Sequence, residues 1–189
     1  MRIIAGKHKN RVIPTIKGAS YRPSTAKFRE AIFNILSSGA FSDSKPIENG
    51  DILDLFAGTG SLSFEALSRG ARSATLVDIN SEHLKDAVLF AEKIGEKENV
   101  TTHSVDASFV RLPQEKFSVV FMDPPYETKY ITKTLRNLQK TCCLIKGAIV
   151  IIEMSKYEKL NSTPGFELLK EKIYGNNKLL VLKYGQKEE

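Results

Sequence analysis

Apolar and charged residues alternate at the start of the chain, with Ile3, Ile4, Val12, Ile13 and Ile16 set among basic side chains in a strand-like rhythm. A turn is expected around Gly6 to Asn10. From Thr25 to Leu36 the period lengthens, and Phe28, Ile32, Ile35 and Leu36 fall on one face of a helix that Ser24 or Thr25 could cap. Ser37 to Asn49 is rich in Ser, Gly, Pro and charge and reads as a linker. Beyond Asp51, short apolar runs (DILDLF, SATLVD, NVTTHSVD, FSVVFMD, AIVIIEM) alternate with helical patterns at Leu62 to Ser68, Glu82 to Ile94 and Lys129 to Thr141. Such alternation predicts βαβ units and a mostly parallel sheet covered on both faces. The last run, FELLKEKIYGNNKLLVLKYG, predicts an antiparallel hairpin turning at Gly175-Asn176-Asn177. The expected fold is α/β, a doubly wound sheet closed by a C-terminal antiparallel hairpin. One domain over residues 1–189 is expected, with 1–40 an arm and helix and 50–189 the core.

Composition changes this picture in two places. The 189 residues are 41% apolar, enough for an ordinary core. The basic start has no apolar h-region behind it, and the longest apolar stretch, Cys142 to Ile152, is broken by Lys146 and Gly147. A soluble, cytoplasmic protein without leader or membrane span is therefore expected. Cys142 and Cys143 are adjacent, read as small core residues, and with His8, His83 and His103 scattered no metal site is expected. The charge is unevenly placed. Of the net +6, residues 1–30 carry eight basic side chains against Glu30 alone, and the rest of the chain is nearly balanced. A basic arm with interleaved apolar positions points to a polyanionic partner rather than to a free tail.

The segment Asp51-Ile-Leu-Asp-Leu-Phe-Ala-Gly-Thr-Gly-Ser61 is a strand ending in an acid, a Gly-rich turn and a helix start. Gly58 and Gly60 let backbone approach a ligand closely. Asp78, at the end of the second strand, is placed to accept both ribose hydroxyls of a nucleoside. A dinucleotide fits poorly: Ser63 stands where GxGxxG has its third glycine, and Asp54 would face a pyrophosphate. An acid suits a cation, and S-adenosylmethionine carries a sulfonium and an amino group without phosphates. The cofactor expected is therefore S-adenosylmethionine. Asp106-Ala107, closing the third strand, could meet the adenine edge, although alone Asp106 reads equally as a strand-end cap. The expected cofactor residues on the first loop are Asp54, Phe56, Ala57, Gly58 and Gly60; Asp78, Ile79, Asp106 and Ala107 complete the set.

Strand FSVVFM runs into Asp123-Pro124-Pro125-Tyr126. An amine attached to a nucleobase ring is a poor nucleophile, because its lone pair is delocalised. Two acceptors on rigid backbone, the Asp123 carboxylate and the Pro124 carbonyl, would draw its protons, aim the lone pair and stabilise the developing positive charge. Pro125 stiffens the turn, and Tyr126 offers a face for the extruded base. These four are the expected catalytic residues. The chemistry reaches adenine, cytosine or guanine alike.

Four stretches taken together, MRIIAGKHKNRVI, YRPSTAKFREAIFNIL, DLFAGTGSLSFEALSRGA and FMDPPY, closely resemble the RsmD family of bacterial 16S rRNA (guanine-N2)-methyltransferases. The resemblance implies a Rossmann-like class I S-adenosylmethionine-dependent methyltransferase fold. It also implies methylation of one guanine of 16S rRNA in the small ribosomal subunit, of the guanine-966 type. It places Arg22, Pro23, Thr25 and Arg29 in a block beside cofactor and active site, with Thr25 toward the cofactor and Arg22 and Arg29 toward RNA. Arg2, Lys7, Lys9 and Arg11 are implied to face RNA. A monomer acting on rRNA, with no metal and no membrane, is expected. Ser63 departs from the family's usual glycine and His8 from its common tryptophan. Rival readings are a DNA adenine-N6 or cytosine-N4 methyltransferase, for which little chain remains to read duplex DNA, and a catalytically silent RNA-binding protein, which would predict a degraded turn or loop.

Overall fold

The computed structural model describes residues 1–14, 26–38, 45–112, 115–124, 128–161 and 163–185. Helix α1 is Ala26–Ser37; then follow β1 Asp51–Leu55, α2 Ser61–Ser68, β2 Ser73–Asp78, α3 Ser81–Ile94 and β3 Val100–Ser104. After these come β4 Phe117–Met122, α4 Thr128–Thr141, β5 Leu144–Ser155, β6 Phe166–Tyr174 and β7 Asn177–Tyr184. Among the described residues the strands form one sheet in the order β3-β2-β1-β4-β5-β7-β6. Neighbours from β3 through β5 are parallel, while β7 is antiparallel to both β5 and β6. This is the doubly wound sheet with a closing hairpin that the pattern predicts.

Strand chemistry follows position. Residues Ile52 to Leu55 and Val119 to Met122 are all buried, because β1 and β4 lie centrally and are covered on both faces. At the edge, β6 is largely exposed and carries Glu167, Lys170, Glu171 and Lys172, charges that discourage pairing with another chain. The turn between β6 and β7 holds only Gly175 and Asn176, since Tyr174 already pairs with Asn177. Asn80 caps α3 by accepting the amides of Glu82 and His83, and left-handed Gly95 ends it.

Two apolar clusters lie on the two sides of the sheet. One joins Ile3 and Ile13 to α1, α2 and α3; the other joins Ile131, Leu135 and Leu138 of α4 to Val110, Leu112 and the opposite sheet face. Ile3 and Ile13 are 1% and 0% exposed. Each such burial contributes about 1.5–3 kcal/mol, so the first residues are packed body and not tail. They form a hairpin closed by the Arg2–Val12 bridge. The vicinal cysteines correct one expectation: Cys143 is buried, but Cys142 is exposed at a positive φ of 51° in the turn between α4 and β5. No helix among the described residues is long and apolar enough to cross a membrane.

Candidate active site

Parallel register aligns the carboxyl ends of the strands. Leu55 is paired with Val77 on one side and with Met122 on the other, and Met122 with Ile152. One step further along the chain, Asp78, Phe56 and Asp123 therefore stand in a row across β2, β1 and β4.

The Gly loop rests on this row. Phe56, Gly58 and Gly60 have φ of 64°, 54° and 76°. Left-handed backbone at a phenylalanine is strained and persists where surrounding structure enforces it, commonly at ligand sites. The loop is held by the amide of Ala57 on the Val77 carbonyl at 3.0 Å. Asp78 Oδ2 accepts the Gly58 amide at 2.7 Å, and Asp78 Oδ1 accepts that of Asn80 at 2.8 Å. Each oxygen keeps a lone pair for further acceptance. Ile79 is 78% exposed beside it, an apolar face open to a planar ring.

Asp54 lies beneath the loop, 3% exposed, with Oδ2 accepting the Ser63 hydroxyl at 2.6 Å and the Ser63 amide at 3.2 Å. Burial pushes its carboxyl up to about 7, against the pull of the Ser63 hydroxyl and amide and with a smaller push from the Asp78 charge. Ser63, which stands where the resembled family has glycine, thus supplies the principal polar contacts to a buried acid. Asp106 lies two residues beyond β3, which ends at Ser104, and its Oδ1 accepts the Ser108 amide at 2.8 Å, the geometry of a cap. Ala107 is buried behind it.

Two hydroxyls that sequence reasoning passed over belong to this edge. Thr59 Oγ1, between the two loop glycines, and Ser108 Oγ are buried with no hydrogen-bond partner among the described residues. A ligand seated at this edge could supply a partner to both. Asp123 is half-buried and Pro124 buried at the end of β4. Pro125, Tyr126, Arg22, Pro23 and Thr25 lie outside the described residues.

The arm docks through buried acids. Glu65, 0% exposed on α2, accepts the Ile4 amide at 2.6 Å, the Ala5 amide at 3.1 Å and Arg69 Nε at 2.7 Å. Glu96, 2% exposed, takes Lys7 at 2.6 Å, His8 Nε2 at 2.5 Å and Asn99 at 2.7 Å. Burial alone would raise the Glu96 carboxyl, but those hydrogen bonds outweigh it and hold the group below its ordinary range. The Lys7 amide donates to the Ser68 carbonyl, so the hairpin tip sits at the opposite end of α2 from the Gly loop. Arg2, Lys9 and Arg11 are exposed. Arg29 departs from the RNA-facing set: it is 1% exposed and turned inward, donating to the Arg2 carbonyl at 3.1 Å. A guanidinium enclosed by α1 and the hairpin helps position the arm and does not present itself to a phosphate.

Comparison with known proteins agrees with this architecture. The family model described as conserved hypothetical protein 95 matches residues 1–183. An uncharacterized methylase of Rickettsia prowazekii is 37% identical over 97% of this chain and 98% of that one. The ribosomal RNA small subunit methyltransferase D of Buchnera aphidicola is 34% identical, covering 90% of this chain and 85% of that one. The solved structure of yhhF from Escherichia coli superposes with a TM-score of 0.84 at 27% identity, covering 98% of both chains. With its parallel core, inserted antiparallel β7 and Gly loop, the sheet has the Rossmann-like class I S-adenosylmethionine-dependent methyltransferase fold. From the family match, these relatives and this fold, the chain belongs to the RsmD family of methyltransferases.

Proposed function

We propose that this protein methylates the exocyclic N2 amine of a guanine in the 16S rRNA of the small ribosomal subunit, of the guanine-966 type, using S-adenosylmethionine. The observation that carries the reading is the row of Asp78, Phe56 and Asp123 at the carboxyl ends of three adjacent strands. In this reading Asp78 is the nucleoside-holding acid and Asp123 the amine-orienting acid, on either side of the Gly loop. The small-subunit rRNA methyltransferase name of the Buchnera relative supports the substrate class.

The residues fit the methyl donor. Among the described residues Thr59 Oγ1 and Ser108 Oγ have no hydrogen-bond partner, and Asp78 keeps acceptor capacity. When bound, S-adenosylmethionine supplies an electrophilic methyl group on a cationic sulfur. Asp78 would hold its ribose hydroxyls, Ile79 would cover its base, and ionised Asp54 would offset its positive charge beneath the loop. Asp123 and the Pro124 carbonyl accept hydrogen bonds from the two N–H groups of the target amine and aim its lone pair, and the carboxylate is placed to take the one proton released once the methyl is on nitrogen. The same groups stabilise the charge that grows on nitrogen during transfer. Pro125 and Tyr126 are assigned the stiffening and base-stacking roles, and Arg2, Lys9 and Arg11 a phosphate-facing one.

The test is transfer from labelled S-adenosylmethionine to small subunits lacking the modification, with nucleoside analysis of the product. N2-methylguanosine is the expected result. Methylated adenine or cytosine would overturn the base assignment, and no label in the rRNA would overturn the substrate.

A further inference from the structure

Helix α4 holds four basic residues and no acidic one. Its periodicity sorts them. Ile131, Thr134, Leu135 and Leu138 are buried against the sheet, whereas Lys129, Lys133, Arg136 and Lys140 are all exposed at the spacing of a single helix face. The stripe is about 16 Å long at 1.5 Å per residue. Summed along the chain, the charge excess lies wholly in the first thirty residues. Folding reveals a second concentration, because a helix gathers side chains three and four positions apart.

A face that is merely solvated mixes signs, as α3 does. There Lys85 pairs with Glu82 at 2.7 Å, and Lys97 just beyond the helix pairs with Glu92 at 2.6 Å. Helix α4 instead places like charges at successive i,i+4 and i,i+3 steps, an arrangement that costs helix stability. It also sets Lys129 in the first turn, where the helix dipole disfavours a cation. Among the described residues, no acidic group pairs with Lys133, Arg136 or Lys140. Lys133 Nζ lies 3.7 Å from the ring centroid of Phe109, an aromatic left 60% exposed in the loop beyond Asp106. Cations in line beside an exposed ring match a strand of nucleic acid, whose phosphates meet the charges and whose bases meet the ring.

Position completes the argument. Helix α4 starts at Thr128, five residues past Asp123, so the stripe begins at the catalytic edge. It lies on the sheet face opposite the N-terminal hairpin. We propose that α4 is a phosphate track for the RNA strand flanking the methylated base, with Phe109 a stacking platform beside it. The inference rests on the rRNA reading above and adds to it a second contact surface, distinct from the arm.

The test compares the full chain with Lys133→Glu/Arg136→Glu/Lys140→Glu, using unmodified 16S rRNA transcript as probe over a range of KCl. Affinity is expected to fall at least tenfold at moderate salt, with the slope of log Kd against log salt reduced by about 2–3. KM for RNA should rise while kcat and S-adenosylmethionine affinity stay within about twofold. The milder Lys133→Gln/Arg136→Gln/Lys140→Gln variant, checked by circular dichroism, should give a smaller loss in the same direction and serves if the reversal does not fold. A control with the same charge change elsewhere, Lys85→Glu/Lys93→Glu/Lys97→Glu, should shift affinity less than threefold. Unchanged affinity and slope in the α4 variants, or an equal loss in the control, overturns the track alone. A wild-type chain that neither binds nor methylates the rRNA overturns the rRNA reading and the track with it.

Discussion

A carboxyl group held near neutrality beneath the Gly loop would link the proposed cofactor binding to protons. The folded value of Asp54 is raised from 3.8 to about 7. Between those limits the folded chain keeps a proton that the unfolded chain has released. The stability that this group contributes is therefore full at low pH and is lost as pH climbs through about 7. A cation beside Asp54 favours the ionised form, so below neutrality binding must expel the proton. Affinity for S-adenosylmethionine should fall by up to about tenfold per pH unit below 7. Calorimetric titration from pH 5.5 to 8 checks this, and Asp54→Asn should flatten the profile; a flat wild-type profile would remove Asp54 from the cofactor's surroundings. At the other end of the row, Asp123→Ala should lower kcat by about 100- to 10,000-fold. Equilibrium dialysis should find cofactor affinity within about twofold of the parent, and wild-type turnover would strip Asp123 of its role. The sequence makes both acids legible as chemistry, because each ends a strand before a special turn. It does not make legible that Ser63 ties Asp54 down or that Arg29 faces inward, since both depend on neighbours brought close only by folding.

The N-terminal hairpin shows how one element is fixed by another. Glu65 on α2 is fully buried and satisfies two hairpin amides and Arg69. Glu65→Ala should cost about 3–5 kcal/mol, as expected when one partner is taken from a buried charged pair. Denaturant melts measure that loss, and hydrogen exchange should show the Ile4 and Ala5 amides losing protection first. A change under about 1 kcal/mol would mean that Ile3 and Ile13 hold the hairpin without it. Most elements were readable in advance, because apolar runs bounded by Gly and Pro set strand positions and the Thr25 to Leu36 spacing set α1. The docking of the arm was not, because it joins Ile4 to Glu65 and His8 to Glu96, contacts made some sixty and eighty-eight residues apart.

Taken as a whole, the molecule presents its hairpin cations unequally. Lys7 is engaged by Glu96, whereas Lys9 and Arg11 are exposed without such a partner among the described residues. Lys9→Glu/Arg11→Glu should weaken binding to 16S rRNA and lower its salt slope by about 1.5–2 with melting unchanged. Lys7→Glu should lower the melting temperature as well, because it sets two acids together. Filter binding and thermal scans separate the two, and equal melting losses in both variants would show that the exposed pair is structural.

The insertion of β7 between β5 and β6 also governs how the protein is made. Strand β5 contributes Ala148 to Met154, all buried in the finished sheet. Its outer edge pairs with Asn177 to Lys183, so that edge has no partner when a ribosome has just completed β5. An apolar edge left without its partner strand is the geometry from which strand-to-strand aggregation starts. Nascent chains stalled or cut before Asn177 are therefore the form of this protein most in need of a chaperone.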